Sequence, residues 1–152
     1  MHSDAVTRFR RLIEIRQTMS SSAEARVKEA ENRVREIQLA EEGIVQDIQD
    51  SRSEIARCPH LTGHAMQLTE RYIEALNSKR RVLRKSLESA NVQLAQARQA
   101  WVEALREQKI VEKLEARRLQ EWNRQQDIEA QKAMDDAFLA RAVGRKMGRS
   151  LI

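Results

Sequence analysis

Pro59 is the only proline in the 152 residues, and on both sides of it the apolar side chains keep one helical phase over long stretches. Proline has no backbone N–H to donate and disfavours α geometry in the residue before it, so Cys58 has to end a helix. Cys58-Pro59-His60-Leu61-Thr62-Gly63 is the one segment whose chemistry opposes helix throughout. Thr62 supplies a side-chain oxygen in position to cap a second helix. The sequence therefore predicts a first helix over about 4–57, a turn over 58–63 and a second helix over about 64–143.

The phase is that of a coiled coil. From Phe9, steps of four and three reach Ile13, Arg16, Ser20, Ala23, Val27, Ala30, Val34, Ile37, Glu41, Ile44, Ile48, Ser51 and Ile55, and ten of these fourteen residues are apolar. A mean spacing of about 3.5 residues keeps a seam turned toward a partner helix. In the second helix the seam is clearest at Leu83, Leu87, Ala90, Leu94, Ala97, Trp101, Ala104, Gln108 and Val111, eight of nine apolar. Val27, Val34, Ile37, Ile44, Ile48, Leu83, Leu87, Leu94, Trp101 and Val111 are the expected core. Ser21 and Glu24 make a capping-box pattern after Met19-Ser20, but the phase passes through unchanged, so one continuous helix is expected. Gly43 should cost about 1 kcal/mol relative to alanine and mark a bend or soft spot.

A turn of about six residues makes the two helices antiparallel neighbours. Facing residue numbers should then sum to roughly 121, with Val34 opposite the region of Leu87 and Val27 opposite Leu94. Ala90, Ala97 and Ala104 recur every seven residues and let the backbones approach closely. At 1.5 Å per residue the helices span roughly 80 and 120 Å, so the second outruns the first beyond about residue 115. There the seam also fades, passing through Glu115, Arg118, Trp122, Gln125, Glu129, Lys132 and Asp136. The expected fold is all-α, an antiparallel two-helix coiled-coil hairpin with a longer second helix, forming one elongated domain over 1–152. Residues 141–152 hold Arg141, Arg145, Lys146 and Arg149 and no acid, and with Gly144 and Gly148 the stretch 144–152 reads as a flexible basic tail.

Composition narrows the function. Charged residues make up 34% and aromatics 3%, too few large side chains for a globular core. No run approaches the roughly 18 apolar residues of a membrane span, and the start lacks the apolar core of a secretory signal. A soluble, cytoplasmic protein is expected, in agreement with a lone Cys58. No phosphate-binding glycine loop occurs, and two exposed helices cannot assemble nucleophile, base and orienting acid in one pocket, so catalysis is not expected. Cys58, His60 and His64 lack the four-ligand spacing of structural zinc, and no metal or cofactor is expected. Lys79, Arg80, Arg81, Arg84 and Lys85 read as a solvated face answering acids on the first helix. With no recognisable module or stacking aromatics beside them, nucleic-acid binding is not expected. Membrane binding by an amphipathic helix is disfavoured because the hairpin occupies the apolar stripe.

Apolar groups off the main seam point to protein partners. Tyr72, Ile73 and Leu76 either pack on the end of the first helix or form a docking patch. Trp122, Met134 and Phe138 lie where no facing helix remains.

This arrangement resembles the FliJ/YscO family of type III export proteins of flagella and injectisomes. The likeness covers nearly the whole chain. It rests on Phe9-Arg-Arg-Leu12-Ile13-Glu-Ile15-Arg at the start, Tyr72-Ile73-Glu-Ala-Leu76 after the turn, Trp101 followed by a charged helix to Trp122, and Gln131-Lys132-Ala-Met134-Asp135-Asp136-Ala-Phe138. The resemblance implies a non-enzymatic stalk inserted in the opening of a hexameric export ATPase, promoting its assembly and activity. It also implies contacts to the export-gate membrane protein and to export chaperones. By analogy Tyr72, Ile73 and Leu76 contact the gate, while Phe9, Leu12, Ile13, Trp122, Met134, Phe138 and Arg141 enter the ring. The chain would be monomeric when free and sit in the cytoplasm, peripheral to the inner membrane at the export apparatus. A flagellar and an injectisome stalk are both open at this point, and the alternative is a structural scaffold or tether without an ATPase partner.

Overall fold

A computed structural model describes the backbone of the chain from His2 to Ser150. It consists of helix α1, His2–Arg57, and helix α2, Gly63–Ser150, and no strand occurs among the described residues. Asp4 in the first turn of α1 and Arg57 in its last complement the helix dipole at either end. At Thr62 the side-chain oxygen accepts the Ala65 N–H at 3.3 Å, and its carbonyl accepts the Met66 N–H at 3.1 Å. Thr62 is thus the N-cap of α2, closing donors that the helix start would leave open.

The chain divides into two compact units, Ile15–Arg106 and Met1–Glu14 with Glu107–Ile152. Ile15–Arg106 contains the turn and is an antiparallel coiled-coil hairpin. Its core is Val27, Val34, Ala90 and Leu94, with Ala30, Ile37, Leu87, Ala97 and Trp101 packed against it. Ile48 and Leu76 are buried nearer the turn. Each such aliphatic side chain contributes about 1.5–3 kcal/mol when fully covered. The small Ala30, Ala90 and Ala97 admit larger neighbours from the facing helix, as in knobs-into-holes packing. All fourteen seam residues of α1 and all nine of α2 are buried or half-buried, the polar ones included. Ser20 is buried and returns its hydroxyl to the Gln17 carbonyl at 3.0 Å, which is how α1 passes through the Met19–Ser22 stretch uninterrupted.

The register is set by the turn. Val27 and Val34 meet Ala90 and Leu94, as numbers summing to roughly 121 require. Two polar pairs across the helices fall farther apart: Arg98 reaches Glu31 at 3.4 Å and Arg33 reaches Gln93 at 3.4 Å. Side chains on a helix lean toward its N-terminus. In an antiparallel pair these leans converge, so Arg98 meets Glu31 rather than Ala23, which lies level with its backbone.

In the other unit the start of α1 lies along α2. Phe9 and Ile13 are half-buried and Val111 is buried. The Arg118 guanidinium stands over the Phe9 ring, 4.9 Å from its centroid, a cation on a π face. Beyond Arg118 the described side chains of α2 are exposed, Ala142 alone being half-buried.

One expected boundary differs. α2 does not stop near 143 but continues as helix through Gly144 and Gly148 to Ser150. Each glycine costs about 1 kcal/mol, while Ala137, Ala140 and Ala142 just before them favour helix, and no proline lies beyond. Among the described residues no glycine adopts the positive φ that would cap a helix end. Leu151 and Ile152, the end of the predicted tail, lie outside the described residues. Gly43 likewise leaves α1 continuous.

Candidate protein-binding surfaces

In the Ile15–Arg106 unit the aromatic group after the turn is split. Leu76 is buried at 6% exposure and Ile73 is half-buried, because both stand on the seam, whereas Tyr72 is 51% exposed. Only Tyr72 of the three is exposed. It is accompanied by a residue that sequence reasoning passes over: Leu68, four positions earlier and also exposed. Continuing the four-three step from Leu68 reaches Tyr72, Ala75, Lys79 and Val82, one position before each seam residue. That offset is the signal the sequence offers for it. Val82 borders an apolar hollow lined also by Ile44, Ser78, Lys79 and Leu83.

The same region carries the main electrostatic cluster. Glu41 holds a seam position where an apolar side chain would be expected, and its Oε1 accepts from Arg84 Nε at 3.0 Å and Arg80 Nε at 3.3 Å. The hydrogen bond from Arg84 is the main reason its carboxyl titrates below the ordinary value of 4.5; partial desolvation opposes this, and Arg80 adds to it. A polar group at a single seam position favours one register over its neighbours. Two of the five clustered cations are accounted for in this way, and Lys79, Arg81 and Lys85 face solvent. Cys58, His60 and His64 are exposed around the turn, and no grouping of metal-ligating side chains occurs among the described residues.

In the unit formed by Met1–Glu14 and Glu107–Ile152, Phe9 and Ile13 are engaged in holding the two segments together, and Leu12 is the exposed member of that group. The seam is poorly matched there. Glu115 Oε2 and Arg118 Nη1 are buried without a hydrogen-bond partner, each costing about 1–3 kcal/mol against a satisfied group. Past Arg118 the exposed apolar side chains accumulate: Leu119, Trp122, Ile128, Met134, Phe138, Leu139, Val143 and Met147. Ala137-Phe138-Leu139-Ala140-Arg141-Ala142-Val143 is apolar on every side of the helix but that of Arg141. A helix apolar all round is one that is normally surrounded.

No helix among the described residues is long and apolar enough to cross a membrane. The architecture and its exposed groups define a class, a long helical hairpin with large apolar side chains exposed along it. The chain matches the family described as Flagellar FliJ protein over residues 5–148, and it belongs to that family, a component of flagellar protein export. No curated protein and no solved structure matches it.

Proposed function

We propose that the chain is the non-catalytic stalk of the export apparatus: its projecting α2 segment enters the central opening of the hexameric export ATPase and promotes ring assembly and turnover. The observation that carries this reading is the segment 137–143, apolar around its circumference except at Arg141, and exposed except at the half-buried Ala142. A partner that lies against one face of a helix leaves such a segment half wet; a ring encloses it. Leu12, Trp122, Met134, Phe138 and Arg141 are the ring contacts, with Phe9 and Ile13 bracing the helix beneath them. Tyr72, supported by Leu68 and seated by Ile73 and Leu76, is the contact to the cytoplasmic part of the export gate, and export chaperones are further partners. The working site is the cytoplasmic side of the inner membrane.

The test is ATP hydrolysis by the cognate export ATPase with purified chain added. The intact chain is expected to raise turnover, and a chain ending at Arg118, which retains the buried and half-buried seam residues, is expected to have no effect. No response to the intact chain, or equal stimulation by both, would leave a structural tether as the better account. For the gate, Leu68→Ala with Tyr72→Ala should weaken binding while preserving ATPase stimulation; unchanged gate binding would remove that assignment.

A further inference from the structure

Met134 and Phe138 are the most exposed large apolar side chains among the described residues, at 70% and 73%. Four residues apart, they share one face of α2. At 100° per residue that face lies about half a turn round the helix from the line that continues the hairpin seam through Gln125, Glu129, Lys132 and Asp136. Steps of four and three along it read Asp127, Gln131, Met134, Phe138, Arg141 and Arg145. The order is self-complementary. Asp127 stands seven residues before Met134, and Arg145 seven after Phe138. Both are exposed, and neither has an ion-pair partner among the described residues.

We propose that this face pairs with the same face of a second copy of the chain, antiparallel and centred on residue 136. In that register Met134 meets Phe138 of the second copy at two symmetric places. Asp127 meets Arg145 at the two outer rungs, and Gln131 lies opposite Arg141. Ala130, Ala137 and Ala142 flank the central pair and leave room for the two large side chains to lie against the facing helix. Charge selects the direction, because a parallel pair would set Asp127 against Asp127 and Arg145 against Arg145. It also selects the occupant. An anionic lipid surface would answer Arg141 and Arg145 but would be opposed by Asp127 on the face and Asp135 at its edge, whereas a second copy answers both signs. The pairing is isologous and closes at two copies, unlike the monomer expected from the hairpin alone. It covers Met134, Phe138 and Arg141, so where the stalk reading holds, pairing and ring entry exclude each other.

Sedimentation equilibrium of the full chain tests this without any ATPase. A small interface of this kind predicts a monomer–dimer equilibrium with a dissociation constant on the order of 100 µM. Asp127→Arg alone, or Arg145→Asp alone, converts both outer rungs from attraction to repulsion and should weaken association about tenfold. Mixed in equal amounts, the two variants restore both rungs in a heterodimer, and association should return to the wild-type level. The doubly reversed chain should do so by itself. Phe138→Ala should abolish association, and helical circular dichroism should be unchanged in all variants because the positions are exposed. A chain monomeric up to about 500 µM overturns the proposal. So does a dimer indifferent to the reversals, a mixture no better than its components, or association only on vesicles containing anionic lipid.

Discussion

Replacing Leu94 by alanine should destabilise the hairpin by about 2 kcal/mol, while replacing the larger Phe138 should cost less than about 0.5 kcal/mol. Leu94 is 8% exposed and lies in the core with Val27, Val34 and Ala90. The substitution removes three carbons from a covered site, at about 0.8 kcal/mol each. The added cost of a cavity is small in a seam only two helices deep, where water fills the space, so the loss falls at the low end of the range for buried leucine. Phe138, at 73% exposure, already has its ring in water, and removing it takes away little that folding had gained. The assay is urea unfolding followed by the helical signal at 222 nm, at a protein concentration of about 1 µM so that self-association does not enter. A cost below about 0.5 kcal/mol for Leu94→Ala would mean that the seam does not hold the hairpin. A cost above about 1 kcal/mol for Phe138→Ala would mean that the projecting segment folds against something within the chain.

Glu41→Gln should abolish a pH dependence of stability. The folded carboxyl titrates below 4.5, so its contribution is fully present above that value and is lost as pH falls through the lowered one; urea midpoints between about pH 6 and pH 3 should flatten in the variant, and identical profiles would refute the role of Arg84 and Arg80. Glu115→Leu should raise stability by about 1 kcal/mol, because Glu115 Oε2 is buried without a partner in a position that otherwise takes apolar residues; a lower urea midpoint would contradict this. Thr62→Ala should cost about 1 kcal/mol through loss of the α2 cap, and Thr62→Ser should restore most of it; equal stability of all three chains would show that the cap contributes nothing.

The fold is legible in the sequence because its two signals are local. Pro59 forbids helix where it stands, and the four-three spacing survives every polar intrusion: Arg16, Ser20, Glu41, Ser51 and Gln108 interrupt the apolar count yet stay in phase, and all five are buried or half-buried. Sequence reasoning misplaces the end of α2 because glycine reads as a stop. Gly144 and Gly148 only weaken a helix that the neighbouring alanines favour, and no capping geometry competes with it. At the surface, Tyr72, Ile73 and Leu76 read as one group in the sequence, although a rotation of one residue along α2 separates the exposed member from the two on the seam. Leu68 escapes notice for the same reason, since its neighbour in space is four residues away rather than adjacent.

By itself the sequence determined two long helices, the turn between them and the angular phase of the seam, since these depend on propensity and periodicity within one strand. It also marked the stretch past about 115 as outrunning the first helix, a matter of counting; in the structure Arg118 still meets Phe9, and exposure sets in beyond it. Which apolar side chains are covered was decided only by the tertiary structure. Burial belongs to a pair of surfaces, and the register and the lean of side chains across the pair bring Arg98 to Glu31 and both Arg80 and Arg84 to Glu41. Past the paired region Met134 and Phe138 are exposed, on the segment that we propose a ring or a second chain covers.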